Sequence, residues 1–254
     1  TIDLYDELVV SEIENKQCIV ECDAFELPKK NTLTLSYEAF CSVSDVDVPG
    51  VKVNLKKGIP SGGGLGGGSA DAAALVRVLQ KMCGIKLSDE KLDLIASKTG
   101  SDVFFFQHCD DEGKGCALVS GRGEVVKKII PRDDLFLLLI FPKVSSSTKE
   151  AYDLVDKYLA KKDKVKGPGV AELEDVYRKA VNQWNFVNTF TPALSKKYKE
   201  IEAALIDLKN VGSEYVEMSG SGSTVFGVST LEQQAINSYN LLAEFWNCKV
   251  ARVV

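Results

Sequence analysis

The feature that most constrains this chain is the run of residues 62–69, Gly-Gly-Gly-Leu-Gly-Gly-Gly-Ser, in which six of eight positions are glycine. A backbone without β-carbons adopts positive φ angles at low cost and approaches a ligand with its N–H groups uncovered. Residues 72–82 predict a helix, because apolar side chains recur at spacings of three and four and Gly84 ends the pattern. The run therefore opens into a helix N-terminus, where free N–H groups and the helix dipole favour phosphate oxygens.

Three other interpretations of the glycine run fit the sequence less well. A flexible linker would be flanked by polar sequence, whereas this run lies between an apolar strand and an alanine-rich helix. Gly62, Gly64 and Gly67 match the dinucleotide pattern G-x-G-x-x-G. The acid at the expected distance, Asp89, follows Ser88 at a helix start rather than ending a second strand. The Walker signature is absent, since no Lys-Ser or Lys-Thr pair follows the glycines.

Composition and charge limit the classes of function that the chain can have. A chain of 254 residues can bury one large core or two modest ones. The formal net charge of −5 and the pI near 5.2 argue against a nucleic-acid partner, which would need a basic face. The basic run at 161–166 has acids around it and predicts a solvated loop. No apolar run is long enough to cross a bilayer and no leader is visible after Thr1, so we expect a cytoplasmic protein without a membrane partner.

The cysteines predict reduced thiols rather than a disulfide framework or a zinc site. Seven is an odd number, no C-x-x-C pair occurs, and Cys18 and Cys22 lie four residues apart. His108 is the single histidine, which leaves few ligands to complete a zinc site. We therefore expect mostly buried, reduced thiols in a cytosolic compartment.

The periodicity of apolar residues predicts an α+β chain. Strands are predicted at 4–10, 18–25, 51–55, 116–119, 125–130, 135–141, 215–218, 224–228 and 248–254. The first two are expected to form a hairpin or meander, and the continuously apolar 135–141 is expected at a sheet centre. Further helices are predicted to begin at Asn31 or Thr32, at Ser88 and after the hydroxyls of 145–148, and to cover 171–181, 194–208 and 231–245.

Three segments of the chain share their pattern with one known family. The first runs from Lys57 through Ile-Pro and the glycines to Ser-Ala-Asp-Ala-Ala at 69–73, the second is Gly-Ser-Asp-Val-Phe-Phe-Phe at 100–106, and the third is Met-Ser-Gly-Ser-Gly-Ser-Thr-Val-Phe at 218–226. In this order they resemble the phosphate loop, the G-[AS]-D-V-x-F-F segment and the C-terminal glycine motif of the GHMP small-molecule kinases. The resemblance extends from Thr1 to about Val254.

The resemblance implies a GHMP kinase fold of class α+β. A ribosomal protein S5 domain 2-like N-terminal domain would cover 1–143, incomplete at its start, and a ferredoxin-like α+β C-terminal domain would cover 144–254. The activity implied is the transfer of a phosphoryl group from ATP, with Mg²⁺, to an alcohol. The doubled Gly-Gly-Gly around Leu65 is most similar to family members that phosphorylate the 2-hydroxyl of 4-diphosphocytidyl-2-C-methyl-D-erythritol in non-mevalonate isoprenoid biosynthesis. The partner would be this small molecule, with monomer and homodimer both open.

The resemblance also implies roles for individual residues. Asp102 would be the catalytic base that accepts the proton of the attacking hydroxyl, which is typically worth about 10²–10⁴-fold in rate. Ser69 would touch a phosphate or ligate Mg²⁺. Nucleotide binding would involve Asn31, Lys57, Pro60, Gly62, Gly63, Gly64, Leu65, Gly66, Gly67, Gly68 and Ser69. Substrate binding would involve Thr148, Asn188, Gly220, Ser221 and Gly222.

Each of these side chains also has a purely structural interpretation. Asp102, Asn31 and Ser69 are residue types that cap helices, and a hydroxyl near Thr148 is expected to cap the helix that follows. Lys57 is equally suited to extend into solvent, and the glycines at 220 and 222 suit the turn of a β-hairpin.

The chain departs from the family pattern at its start. The K-x-N-L-like strand and the G-[YF]-H substrate motif are both missing, so the residues that hold the cytidine and erythritol groups cannot be assigned. We expect a truncated or partly recorded kinase, with weak or absent turnover if the chain begins at Thr1. Two other functions stay open: a sister kinase that acts on mevalonate, homoserine or a sugar, and a nucleotide-binding module without turnover.

Overall fold

The computed structural model describes residues 1–144, 147–160 and 166–254, and the chain divides into two compact units. The first unit contains residues 1, 3–59 and 66–130, and the second contains residues 2, 60–65 and 131–254. The basic run predicted at 161–166 lies outside the described residues except for Lys166, and so do Ser145 and Ser146. The domain division between 143 and 144 stays a prediction.

The first unit combines a mixed sheet, a separate hairpin and helices. The sheet contains β1 (Glu7–Ile13), β2 (Cys18–Cys22) and β3 (Gly50–Lys56), and the hairpin contains β4 (Ala117–Ser120) and β5 (Val125–Lys128). The helices are α1 (Thr32–Val43), α2 (Gly67–Cys83), α3 (Asp89–Thr99) and α4 (Ser101–Gln107). The two strands of the hairpin and the helices α1, α2 and α3 were predicted, whereas α4, which begins at Ser101, was not.

The pairing of the first two strands differs from the prediction. A hairpin between β1 and β2 is wrong, because β3 lies between them in the order β1-β3-β2. β3 runs antiparallel to β1, with Leu55 opposite Leu8, and parallel to β2, with Val53 opposite Val20. Parallel neighbours need a crossover, which α1 supplies between β2 and β3. Apolar alternation identifies each strand but carries no information about its partner.

The core of this unit fixes the position of α2. The inward side chains of β3 are fully or almost fully buried at Val51, Val53 and Leu55, and they share one apolar cluster with Phe40 of α1 and Leu79 of α2. Each fully buried aliphatic side chain contributes roughly 1.5–3 kcal/mol. The helix that follows the glycine run is therefore held by its apolar face.

The second unit has the β-α-β-β-α-β order of a ferredoxin-like fold. Its strands are β6 (Phe136–Ile140), β7 (Tyr215–Met218), β8 (Val225–Ser229) and β9 (Cys248–Arg252), in an antiparallel sheet of order β7-β8-β6-β9. Its helices are α5 (Thr148–Leu159), α6 (Leu173–Arg178), α7 (Thr191–Lys197), α8 (Lys199–Asn210) and α9 (Glu232–Leu242), with short 3₁₀ turns at Val170–Glu172 and Val181–Gln183.

The predicted central strand is confirmed, and two predicted helices are corrected. β6 lies between β8 and β9, and Leu138, Leu139 and Ile140 are almost completely buried. The helix predicted over 171–181 covers only Leu173–Arg178, because Lys179 is extended at ψ 168°. The helix predicted over 194–208 is two helices, since Tyr198 is extended at φ −109° and ψ 104° although the apolar spacing continues through it.

Three helix caps predicted from the sequence are confirmed. Asn31 caps α1 by accepting hydrogen bonds from the N–H groups of Leu33 and Thr34, at 3.0 and 3.1 Å. Ser88 caps α3, and Ser147 caps α5 through the N–H of Glu150. Among the helices formed by the described residues, none has the combination of length and apolar character that crossing a bilayer requires.

Candidate active site

The glycine run turns into α2 through a left-handed residue. Gly66 has φ 69° and ψ 14°, a conformation that favours glycine, and the helix begins at Gly67. The carbonyl oxygen of Gly66 accepts hydrogen bonds from the N–H groups of Ser69 and Ala70, both at 2.9 Å. The interpretation of Ser69 as the helix cap is therefore wrong, because Ser69 lies inside the first turn. Its hydroxyl group makes no hydrogen bond to another described residue and is available to an oxygen ligand or a metal ion.

The main-chain amides of the run are unused. Across the described part of the chain, no acceptor takes a hydrogen bond from the N–H groups of residues 62–68. The amides nearest α2 also lie at the positive end of the helix dipole. Together these groups supply donors that suit phosphate oxygens.

Lys57 lies immediately after β3, between two carboxylates. Its ammonium group pairs with Asp6 Oδ2 and lies 3.3 Å from Asp71 Oδ2 in α2. The side chains are 10% exposed for Lys57, 2% for Asp6 and 5% for Asp71. The interpretation of Lys57 as a side chain extended into solvent is therefore wrong.

The cluster perturbs the titration of two of its members. The pKa of Asp71 is raised to about 7, because burial raises it more than the neighbouring charge of Lys57 lowers it, and the charge of Asp6 adds to the rise. Burial alone would lower the pKa of Lys57, but the hydrogen bond to Asp6 and the charges of both carboxylates raise it above its usual value. Lys57 is accordingly a stable cation, and Asp71 is a carboxyl that changes charge near neutral pH.

The first half of the glycine run packs within the second unit. The carbonyl oxygen of Gly63 accepts a hydrogen bond of 3.1 Å from the N–H of Thr224, and that of Gly64 accepts one of 2.8 Å from Ser219 Oγ. A β-carbon built on Gly64 would lie 2.2 Å from the carbonyl oxygen of Ser219, and φ is 75°. The two glycine motifs predicted from the sequence are thus in direct contact at these residues.

Asn188 supports the second of these motifs. Its side-chain amide donates hydrogen bonds to the carbonyl oxygens of Met218 and Gly220, at 2.8 and 2.7 Å. Its side-chain oxygen Oδ1 accepts a hydrogen bond of 2.9 Å from the N–H of Phe190, and its main-chain N–H donates to Glu217 Oε2 at 3.1 Å. Asn188 therefore shapes the turn that joins β7 and β8.

Asp102 lies in the first turn of α4, and its side chain is exposed. The interpretation of Asp102 as an N-cap is wrong, because Gly100 occupies the cap position. The next two residues, Val103 and Phe104, pack in one buried cluster with Ala72 of α2. This packing fixes α4, and with it the backbone that carries the Asp102 carboxylate, against the helix that follows the glycine run.

The remaining candidates occupy helix starts or the β7–β8 turn. Asn31 uses its side-chain oxygen in the cap of α1 and donates its amide to the carbonyl oxygen of Pro28 at 2.9 Å. Thr148 is the first residue of α5 and is exposed. Ser221 and Gly222 belong to the β7–β8 turn. Within the described ranges, no group of three or more His, Cys, Asp or Glu side chains is arranged to hold a metal ion.

Sequence reasoning missed the two carboxylates around Lys57. A signal existed for Asp71, which precedes the buried Leu75 by four residues and so shares the apolar stripe of α2. No local signal identifies Asp6, because its contact with Lys57 joins residues 51 positions apart.

Comparison with known proteins gives consistent matches in sequence. Residues 31–110 match the GHMP kinases N terminal domain, and residues 172–247 match the GHMP kinases C terminal domain. A 4-diphosphocytidyl-2-C-methyl-D-erythritol kinase from Treponema pallidum is 35% identical over 259 residues, which cover 99% of this chain and 87% of the relative.

Two solved structures share the fold. A 4-(cytidine 5'-diphospho)-2C-methyl-D-erythritol kinase superposes with a TM-score of 0.73 at 24% identity, covering 99% of this chain and 87% of the other. A homoserine kinase from Cytophaga hutchinsonii superposes with a TM-score of 0.72 at 21% identity, covering 100% and 87%. The same fold therefore serves kinases of different alcohols, and the fold alone does not select the substrate.

Proposed function

This chain belongs to the GHMP kinase family, and from that premise we propose that it transfers the γ-phosphoryl group of ATP to the 2-hydroxyl of 4-diphosphocytidyl-2-C-methyl-D-erythritol. This substrate assignment rests on sequence similarity rather than on the fold. A relative that is 35% identical over almost the whole chain is named a 4-diphosphocytidyl-2-C-methyl-D-erythritol kinase. The reaction belongs to isoprenoid precursor biosynthesis by the non-mevalonate route, and we infer a cytoplasmic enzyme.

The observation that carries the proposal is the set of unused amides at residues 62–68, which leads directly into α2. A triphosphate is the ligand class that such a loop and helix N-terminus suit best. We assign nucleotide binding to the sequence candidates from Pro60 to Ser69, with Asn31 and Lys57 beside them. Lys57 has three N–H donors and uses two on carboxylates, which leaves one for an anion.

Asp102 is the proposed base. As the substrate oxygen attacks the γ-phosphorus, its O–H proton passes to the Asp102 carboxylate and the bond from that phosphorus to the bridging oxygen of ADP breaks. The products are ADP, the phosphate ester and one proton. The exposed position of Asp102 on the anchored helix α4 leaves the carboxylate accessible to an alcohol.

The chain also offers an oxygen donor for Mg²⁺, the ion that neutralises phosphate charge in this class of reaction. The hydroxyl group of Ser69 in the first turn of α2 is unpartnered among the described residues, and hydroxyl oxygen suits this hard cation. We assign Ser69 to the ion.

On the acceptor side, we assign Gly220, Ser221 and Gly222 to the wall that the alcohol contacts, with Asn188 holding that wall and Thr148 as a further contact. The support is the turn between β7 and β8, whose residues contact Gly63 and Gly64 of the phosphate loop.

A substrate panel tests the function. The protein is incubated with ATP and, in turn, the cytidyl compound, mevalonate, homoserine and galactose, and each product is identified by mass spectrometry. We expect a monophosphate of the cytidyl compound and none of the other three. Phosphorylation of another alcohol instead would replace the substrate assignment by a sister activity, and ATP binding without any product would support a nucleotide-binding module. Reactions with ADP in place of ATP are the control.

A further inference from the structure

The carboxylate of Asp6 is bonded through both of its oxygens. Oδ1 accepts hydrogen bonds from the N–H groups of Gly58 and Ile59, at 2.7 and 2.8 Å. Oδ2 pairs with the ammonium group of Lys57. With its side chain 2% exposed, Asp6 directs three donors from one short segment toward a single buried carboxylate.

These bonds lie where the chain leaves the first unit. We call residues 60–69 the phosphate loop. Its first part, residues 60–65, belongs to the second unit, so the chain leaves the first unit after Ile59 and returns to it at Gly66. Asp6 binds the segment that follows β3, at the main-chain N–H groups of Gly58 and Ile59.

The same carboxylate also lies near the start of α2. A β-carbon built on Gly67 would lie 3.5 Å from Asp6 Oδ2 and 3.0 Å from Ile59 Cγ2. Lys57 extends the connection into α2, because its ammonium group lies 3.3 Å from Asp71 Oδ2. The segment before the loop and the helix after it are therefore linked through Asp6 and Lys57.

The buried position of the Asp6 carboxylate is not explained by a gain in folding stability. Desolvation of a charge costs several kcal/mol, and a buried ion pair often returns no more than it costs. Asp6 instead supplies geometry, since two main-chain donors and one side-chain cation must all point at it. A loop whose ends are fixed beforehand loses less conformational entropy when it binds a ligand.

We propose that Asp6 is a positioning residue for ATP, which holds the two ends of the phosphate loop together and so presets the amides that bind phosphate. This inference rests on the proposed kinase function. Asp6 touches neither ATP nor the alcohol, and it acts through Lys57, Gly58 and Ile59.

The variant Asp6→Asn tests the proposal with little change of volume. It keeps one oxygen for the amides of Gly58 and Ile59 but loses the ion pair with Lys57. We expect the KM for ATP and the dissociation constant of a non-hydrolysable ATP analogue to rise about tenfold or more, the loss expected for a charge-assisted hydrogen bond. The KM for the alcohol and kcat at saturating ATP should change less than about twofold.

Glu7→Gln is the matched control. Glu7 is the neighbouring acid, its side chain is 67% exposed, and it lies 3.8 Å from Lys56 in a solvent-exposed pair. This variant should leave all four constants unchanged. Hydrogen exchange of the segment 57–67 provides a second readout, which should accelerate in Asp6→Asn while exchange in the rest of the chain stays at the wild-type rate.

Three results would overturn the proposal: an unchanged KM for ATP in Asp6→Asn, equal losses in kcat and in both KM values, or accelerated exchange throughout the chain. Failure of the kinase function itself looks different, since the unsubstituted protein would then form no phosphate ester, whether or not it binds the ATP analogue.

Discussion

Ser219 Oγ donates a hydrogen bond of 2.8 Å to the carbonyl oxygen of Gly64, joining residues 155 positions apart in sequence. The contact brings the C-terminal glycine motif against the first half of the phosphate loop. Both residues belong to the second unit, together with Gly63 and its partner Thr224. The loop is thus shaped by side chains and carbonyl groups that lie far from it in the sequence.

Because of this contact, we predict that the substitution Gly64→Ala distorts the phosphate loop. The new β-carbon would lie 2.2 Å from the carbonyl oxygen of Ser219, and φ at residue 64 is 75°. A left-handed alanine costs about 1–2 kcal/mol, and the overlap with backbone atoms adds to that cost. We expect a lower free energy of unfolding in urea and a weaker affinity for ATP.

The variant Gly62→Ala separates the cost of a left-handed backbone conformation from the cost of steric overlap. Gly62 has a similar φ of 71°, but nothing lies within 4 Å of its built β-carbon. This variant should lose only the smaller, conformational part of the stability. Equal losses in the two variants would mean that the contact with Ser219 does not shape the loop.

The buried carboxyl of Asp71 predicts a particular dependence of stability on pH. Its pKa rises from the model-peptide value of 3.8 to about 7 in the folded chain, so the folded state binds more protons than the unfolded state between these values. The contribution of Asp71 to the free energy of unfolding therefore falls as pH rises from about 4 to 7, with a limiting slope near 1.4 kcal/mol per pH unit.

Urea unfolding of the wild type and of Asp71→Asn, measured from pH 5 to pH 8, checks this slope. The difference in the free energy of unfolding between the two proteins should change with pH and level off above about 7. Asp45→Asn is the control, because Asp45 is 88% exposed in its pair with Lys91. A difference that stays constant across the range would contradict the assignment of the raised pKa to Asp71.

Local signals in the sequence predict three helix caps and the presence of the helix after the glycine run. The caps at Asn31, Ser88 and Ser147 were identifiable because capping depends on residues within three or four positions of each other. The signals for the helix after the glycine run are equally local, since the repeat of its apolar residues and the glycine that ends it lie in one segment.

Contacts between distant residues lie beyond such signals. The order β1-β3-β2 depends on which strand edges meet, and the alternation within each strand does not specify this. Tyr198 divides a continuous apolar pattern into two helices, because tertiary packing overrides local spacing. Asp6 is an ordinary acid in the sequence and becomes part of the site only when the fold brings Lys57 to it.

Asp102, as the base beside bound ATP, is the central residue of the proposed mechanism. A single-turnover experiment with γ-labelled ATP and the cytidyl compound compares the wild type with Asp102→Asn and with Asp89→Asn, an exposed acid in the first turn of α3. We predict that Asp102→Asn slows phosphoryl transfer by about 10²–10⁴-fold and keeps the affinity for ATP, while Asp89→Asn matches the wild type. Phosphoryl transfer at the wild-type rate in Asp102→Asn would contradict the account.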